Sequence, residues 1–204
     1  PFNPSAALSV FTKRGTRLGV LGYLGHMWEL YAMWTWVGLY VAAALTVQGR
    51  HDAARLGALA AFVGIGAGAA GCVVAGFYAD RVGRARVAAW AMMTSATCAA
   101  LTAAAFHAPY AVLLGLVAIW GFSVVADSAQ FSAIVSDTSA EDYVGTALTV
   151  QTCLGFLLTM VSIRLTSAVA GWLGWQWAFL LLLPGPVLGV QARAAIMKPP
   201  ITRK

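Results

Sequence analysis

Long runs of apolar residues alternate with short polar segments along almost the whole chain. Each run is close to the roughly 20 residues with which an α-helix crosses a bilayer. The pattern therefore predicts six transmembrane helices, with residues 1–17 before the first and residues 193–204 after the last. These helices are expected over residues 18–47, 56–79, 87–106, 110–135, 143–170 and 176–192.

Composition supports a membrane protein and leaves no room for a soluble domain. Of the 204 residues 60% are hydrophobic and only 10% are charged, whereas soluble domains are about 25% charged. Six spans of about 20 residues use about 120 positions, which absorbs the apolar excess. The fold class expected is all-α, a polytopic membrane protein.

Lysine and arginine are distributed unequally between the two sides of the predicted helices. Ten of the thirteen lie on the side of both chain ends, two lie on the other side, and Arg164 lies within the fifth run. Because cytoplasmic flanks of membrane spans collect these residues, we expect both ends of this segment in the cytoplasm. The net charge of +6 forms no basic face, so no nucleic-acid partner is expected.

A short motif occupies the end of the second run and the turn into the third. Residues 76–84 read Gly-Phe-Tyr-Ala-Asp-Arg-Val-Gly-Arg, which fits the pattern G-x-x-x-D-R-x-G-R. Asp80 at a helix C-terminus opposes the helix dipole, so we expect a nearby arginine or another helix N-terminus to compensate it. Gly83 permits a tight turn. The alternative is a basic topological stop that contains an incidental aspartate.

This motif resembles the cytoplasmic loop motif of the major facilitator superfamily, with Gly76, Asp80, Arg81, Gly83 and Arg84 as its matching residues. The resemblance implies twelve spans in two six-helix halves, with Asp80 and Arg81 in a cytoplasmic gate that latches one half onto the other. One departure is Ala85, where the family has a basic residue.

The chain resembles the C-terminal half of bacterial members of that family. The basic cluster before the first run is similar to the end of a central cytoplasmic loop, and residues 193–204 are similar to a cytoplasmic tail. The segments at 25–31 and 127–131 add to the likeness. We therefore expect a partner in the missing six-helix half of the same polypeptide, within a bacterial inner membrane.

Glu29 is the most informative single residue of the sequence. It lies eleven residues beyond Leu18, about 16 Å along a helix and near the middle of a core about 30 Å thick. A charge there costs about 2.5 to 3.5 kcal/mol or more. His26 lies one turn away on the same face, which makes His26 and Glu29 candidates for proton coupling. The alternative is a structural hydrogen bond from Glu29 to His26 or to another helix.

Other polar and aromatic side chains within the runs are candidates for lining a solute cavity. Asp127 and Gln151 are expected at similar depths in adjacent spans, so a structural hydrogen bond between them is the alternative. For the aromatic candidates the alternative is packing against lipid. The cavity candidates are Tyr31, Trp36, Asp127, Gln130 and Gln151.

Three features predict how helices pack and end. Gly57, Gly64, Gly68 and Gly71 fall on one face of the second span, a spacing that lets helix backbones approach closely in lipid. The sequence 184–186, Pro-Gly-Pro, predicts a kink in the sixth span. Thr138 and Glu141 have the spacing of a capping box for the fifth span.

The resemblance implies half of a secondary active transporter, a permease working as symporter or antiporter, that moves a small solute by alternating access. No nucleotide-binding loop, hydrolase motif or metal-ligand spacing occurs in the sequence, so we expect no enzyme activity, cofactor or metal. The alternatives are a polytopic membrane enzyme and a receptor or assembly protein on the same scaffold. The sequence leaves the solute and the direction of coupling open.

Overall fold

The computed structural model describes residues 10–197, with side chains up to Gln191. Residues 1–9 and 198–204 of the predicted loop end and tail lie outside the described residues. Two 3₁₀ turns, Glu141–Tyr143 and Phe179–Leu182, lie before α6 and after α7. From Arg14 onward the helices are α1 Arg14–Val47, α2 Ala53–Val82, α3 Arg84–Ala105, α4 Tyr110–Ala126, α5 Ser128–Thr138, α6 Val144–Leu173, α7 Trp175–Ala178 and α8 Pro184–Met197.

The described part of the chain is helical and contains no strand, which confirms the all-α prediction. Within residues 10–197, five segments are long and apolar enough to cross a membrane. They are Arg14–Val47, Ala53–Val82, Arg84–Ala105, Tyr110–Thr138 and Glu141–Leu173.

The segment predicted as the sixth span is not one continuous helix. Gly174, at a φ of 89°, ends α6, and α7, a 3₁₀ turn and α8 follow. Pro184 opens α8, a position where a missing N–H costs little because the first helical N–H groups have no intrahelical acceptor. The expected kink in one helix is therefore a break between two helices.

The fourth predicted span is also interrupted, at Asp127. This residue ends α4 and precedes α5, with φ and ψ of −91° and −20°. Its carbonyl oxygen accepts hydrogen bonds from the N–H groups of Gln130 (3.0 Å) and Phe131 (3.1 Å), so its backbone starts the new helix. The carboxylate forms no cap hydrogen bond.

Helix α1 packs against α2, α5, α6 and α8, while α4 packs mainly against α2 and α3. The glycine prediction for α2 is confirmed: Gly64 and Gly71 lie directly against the backbone of α4 at Gly121 and Phe122. Gly57 makes the same close approach to Gly38 of α1. Absent side chains thus let three helices meet backbone to backbone.

The capping box predicted before the fifth span is wrong. Thr138 is the last residue of α5, and its hydroxyl donates to the carbonyl oxygen of Ile134 at 2.7 Å. The 3₁₀ turn that contains Glu141 starts after Ala140, with no side-chain cap. A threonine can bond to its own preceding turn, and here that bond replaces the cap.

Candidate functional site

Glu29 lies inside the bundle and is bound by two other helices. Its Oε1 accepts hydrogen bonds from the hydroxyl of Ser95 on α3 and from Nε1 of Trp120 on α4, each at 2.7 Å. Glu29 is only 2% exposed, Ser95 is 1% exposed and Trp120 is fully buried. Hydrogen bonds to a charged group are stronger than neutral ones, so this carboxylate joins α1, α3 and α4.

His26 and Asp127 form a second buried pair, about one turn of α1 from Glu29. Nδ1 of His26 lies 2.7 Å from Oδ1 of Asp127, and the two side chains are 1% and 4% exposed. Neither ring nitrogen of His26, nor Oδ1 of Asp127, completes a hydrogen bond of ordinary geometry among the described residues, so the pair is a close contact between two ionisable groups. A buried acid next to an imidazole is a pair in which a proton can be shared or lost.

The hydrogen bonds of Glu29 are those of the structural alternative, to other helices and not to His26. The Glu29 carboxylate accepts hydrogen bonds from Ser95 and Trp120 on other helices. His26, one turn away on α1, pairs with Asp127 and not with Glu29. The two proton-coupling candidates thus lie in adjacent clusters that share α1 and α4. Asp127, proposed for a cavity, belongs with them.

The remaining cavity candidates do not gather around this cluster. Gln151 donates from Nε2 to the hydroxyl of Ser132 at 3.1 Å, so the alternative of a hydrogen bond between Asp127 and Gln151 is wrong. The Asp127 carboxylate lies against His26 of α1. Gln130 is buried near the start of α5, 4% exposed.

The two aromatic candidates tie helices together. Trp36 donates from Nε1 to the carbonyl oxygen of Ile163 on α6 at 3.0 Å and lies 5.7 Å from Trp175, measured between ring centroids. Tyr31 packs against Phe156 of α6, with the ring centroids 5.4 Å apart. Both aromatic side chains therefore pack against other protein groups, so the alternative of packing against lipid does not by itself account for them.

The loop motif forms a tight connection between α2 and α3. Gly83 takes a φ of 96°, a conformation that favours glycine, as expected. Arg84 donates from Nη1 to Oδ2 of Asp137 at 2.6 Å, so the loop is attached to the end of α5. The guanidinium of Arg81 lies 3.9 Å from the ring centroid of Phe77.

Asp80 is exposed, and no described residue forms an ion pair with it. The expectation that a neighbouring arginine compensates this carboxylate is therefore not met within the described chain, because Arg84 binds Asp137. Gly76 lies on the same face of the end of α2 and has open space around it.

The sequence did not identify three of these partners. Ser95 lies in a run of small residues, Asp137 lies in a polar segment between two apolar runs, and Trp120 lies 91 residues from Glu29. An apolar run predicts a buried helix, but it does not show which of its polar side chains reaches an acid on another helix.

Known proteins add one decisive comparison. No curated protein sequence matches the chain. Residues 19–203 match the sequence profile described as Major Facilitator Superfamily. That match covers most of the chain and includes every helix that carries the buried cluster. The protein is an integral membrane protein, and its chain belongs to the Major Facilitator Superfamily.

Proposed function

We propose that the chain is one six-helix half of a secondary active transporter, which moves a small solute by alternating access and is coupled to protons. The observation that carries this proposal is the buried pair of clusters, Glu29 with its two donors and His26 with Asp127. Ionisable groups inside a membrane are costly and mark ion or proton pathways.

Glu29 is suited to exchange a proton reversibly. Burial favours the neutral acid, while the two donors at 2.7 Å favour the carboxylate. Only Oε1 is used by those donors, so a proton on Oε2 leaves both hydrogen bonds in place. Protonation therefore changes the charge of the cluster without dismantling it.

Helix α5 connects this cluster to the loop motif. Asp127 lies at one end of α5 and Asp137 near the other, about 15 Å apart along a helix. The first pairs with His26 and the second with Arg84. A change in protonation of the His26–Asp127 pair thus alters the contact that holds one end of α5. The other end of α5 holds the gate loop through Asp137 and Arg84. Protonation can therefore shift the gate between two states.

Contacts at the helix ends support the proposed topology. The hydroxyl of Thr16 donates to the carbonyl oxygen of Thr138 at 3.1 Å, on the side where Arg84 meets Asp137. At the opposite ends, Nε2 of Gln48 donates to the carbonyl oxygen of Ala108 at 3.1 Å. With ten cationic residues on the first side and two on the second, we infer that the first side is cytoplasmic.

The broken segment 175–197 is proposed to contain the sixth span, 176–192. Its two helices and 3₁₀ turn add up to roughly 35 Å, enough to cross a hydrocarbon core about 30 Å thick. The other six helices of the twelve-helix bundle would come from the missing half of the polypeptide, and the inner membrane of a bacterium is the proposed location.

Solute flux tests the proposal. The whole polypeptide is reconstituted in liposomes with an internal pH dye, and sugars, organic acids and other small solutes are added outside under an imposed pH gradient. We expect at least one solute to accumulate with proton movement, and the 204-residue chain alone to give none. Transport by that chain alone would contradict the half-transporter proposal. Solute binding or chemical conversion without flux would favour a receptor or a membrane enzyme.

Exchanging the charges of Arg84 and Asp137 tests the link from α5 to the gate. Because the pair is exposed, its contribution is about 0.2 to 1 kcal/mol, and Arg84→Asp or Asp137→Arg should each lower the initial uptake rate by up to about fivefold. The double exchange should restore most of the rate. Arg86→Asp, at an exposed arginine in the same loop, is the matched control, and equal losses without rescue would refute the link.

A further inference from the structure

A shallow apolar groove of about 570 Å³ runs along one side of the bundle. Its floor lies where α8 crosses α1, and Leu158 of α6 forms part of one wall. Leu21 and Leu188 line it and are 47% and 58% exposed. Among the described residues nothing covers this surface.

The groove exists because two glycines meet at its floor. A Cβ atom at Gly25 would overlap the carbonyl oxygen of Gly185, and a Cβ at Gly185 would crowd Gly25 and Trp28. The helices are therefore in backbone contact, and the surrounding leucines stand above them. Trp28 closes one end of the floor and donates from Nε1 to the carbonyl oxygen of Leu181 at 3.1 Å.

The length of the groove matches one leaflet of a bilayer. On α1 it extends from Leu18 to Trp28, which is about 15 Å of helix, half of a hydrocarbon core about 30 Å thick. A transmembrane helix seated on this surface would need contacts through the whole thickness. An acyl chain of a lipid in one leaflet spans only half of the hydrocarbon core, which is the length of this groove.

Basic residues continue the groove towards the membrane surface. Arg17 is exposed and precedes Leu21 by one turn, so it shares that face of α1, and Lys13 is the exposed N-cap residue just before the helix. Gln191 of α8 lines the same end of the groove and offers an amide. Cationic side chains at this level attract anionic headgroups.

We propose that this groove binds an anionic phospholipid, with one acyl chain along Leu21, Trp28 and Leu188 and the phosphate at Lys13 and Arg17. Charge complementarity at one end and the depth of a single leaflet together select this occupant. The site lies on a different face of α1 from His26 and Glu29, which point into the bundle. Its occupancy therefore does not depend on the proposed transport activity.

Native mass spectrometry of the whole polypeptide in detergent tests the proposal, with phosphatidylglycerol and phosphatidylcholine of identical acyl chains as probes. Each basic residue near an anionic headgroup contributes roughly fivefold in affinity. We expect phosphatidylglycerol to bind at least fivefold more tightly, and the double variant Lys13→Gln/Arg17→Gln to lose roughly 25-fold of that affinity. Binding of phosphatidylcholine should not change.

Two matched controls separate a site from general attraction. Arg55→Gln removes an exposed arginine at the start of α2, on the other side, and should leave both affinities unchanged. Leu188→Trp fills the groove and should weaken both lipids, whereas Leu157→Trp, 61% exposed on α6 and outside the groove, should weaken neither. Thermal unfolding midpoints confirm that each variant is folded.

Three results would overturn the proposal. Equal affinities for the two lipids would remove the role of the basic residues, and a loss in Arg55→Gln equal to that of the double variant would show unspecific attraction. Unchanged phosphatidylglycerol binding in Leu188→Trp would show that the headgroup binds without the groove, as it would if another helix of the polypeptide covered it.

Discussion

Glu29→Gln is expected to reduce proton-driven uptake to the level of empty liposomes while the protein remains folded. The amide oxygen of glutamine still accepts hydrogen bonds from Ser95 and Trp120, which now hold Oε1 of Glu29 at 2.7 Å. The amide cannot release or take up a proton in the working range of pH. Net uptake under a pH gradient therefore stops, whereas exchange of labelled for unlabelled solute at equal pH continues within about twofold.

Ser95→Ala is the matched control for this substitution. It removes one donor to Glu29 and keeps the acid, at a cost of about 1.5 to 3 kcal/mol for a hydrogen bond to a charged group, so stability falls but coupling remains. Full proton-driven uptake in Glu29→Gln, with the protein inserted in the membrane, would refute the coupling role. Loss of both uptake and exchange would assign Glu29 to the fold instead.

Gly121→Ala is expected to destabilise the bundle by about 3 kcal/mol, at the upper end of the cost of overpacking. A Cβ atom at this position would overlap the backbone of Gly64, which no rotamer change can relieve. Helices α2 and α4 would have to separate along their whole contact. Unfolding with increasing SDS in mixed micelles, followed by circular dichroism, measures the loss.

Gly115→Ala provides the control on the same helix. No atom lies within 4 Å of a Cβ at Gly115, and alanine favours a helix over glycine by about 1 kcal/mol. This variant should therefore be as stable as the parent or slightly more stable. Equal destabilisation of both variants would mean that the loss at Gly121 arises from something other than the contact with Gly64.

The sequence predicted the helices and the burial of Glu29 because both depend on local information. Apolar runs predict membrane spans directly. An acidic residue in such a run is expected to face the interior of the bundle, because exposing it to lipid is costly. Its partners were beyond reach, since Ser95 and Trp120 lie 66 and 91 residues away. Which side chains meet then depends on helix rotation and crossing, which periodicity does not fix.

The partner of Asp127 could not be read from the sequence either. The alternative of a hydrogen bond between Asp127 and Gln151 rested on their similar depths in adjacent spans. Depth does not fix which neighbouring helix a side chain faces. In the structure the Asp127 carboxylate meets His26, and Gln151 meets Ser132. No proline or glycine lies next to Asp127 in the sequence, so the end of α4 at that residue could not be predicted.

The distance along the chain between Glu29 and its donors has a consequence for biosynthesis. At 5 to 20 residues per second, Ser95 emerges from the ribosome roughly 3 to 13 seconds after Glu29, and Trp120 roughly 5 to 18 seconds after it. During that interval α1 carries a partnerless acid whose insertion costs about 2.5 to 3.5 kcal/mol. Helix α1 must therefore remain at the insertion machinery, or enter the lipid with Glu29 neutral, until α3 and α4 have been synthesised and can pack against it.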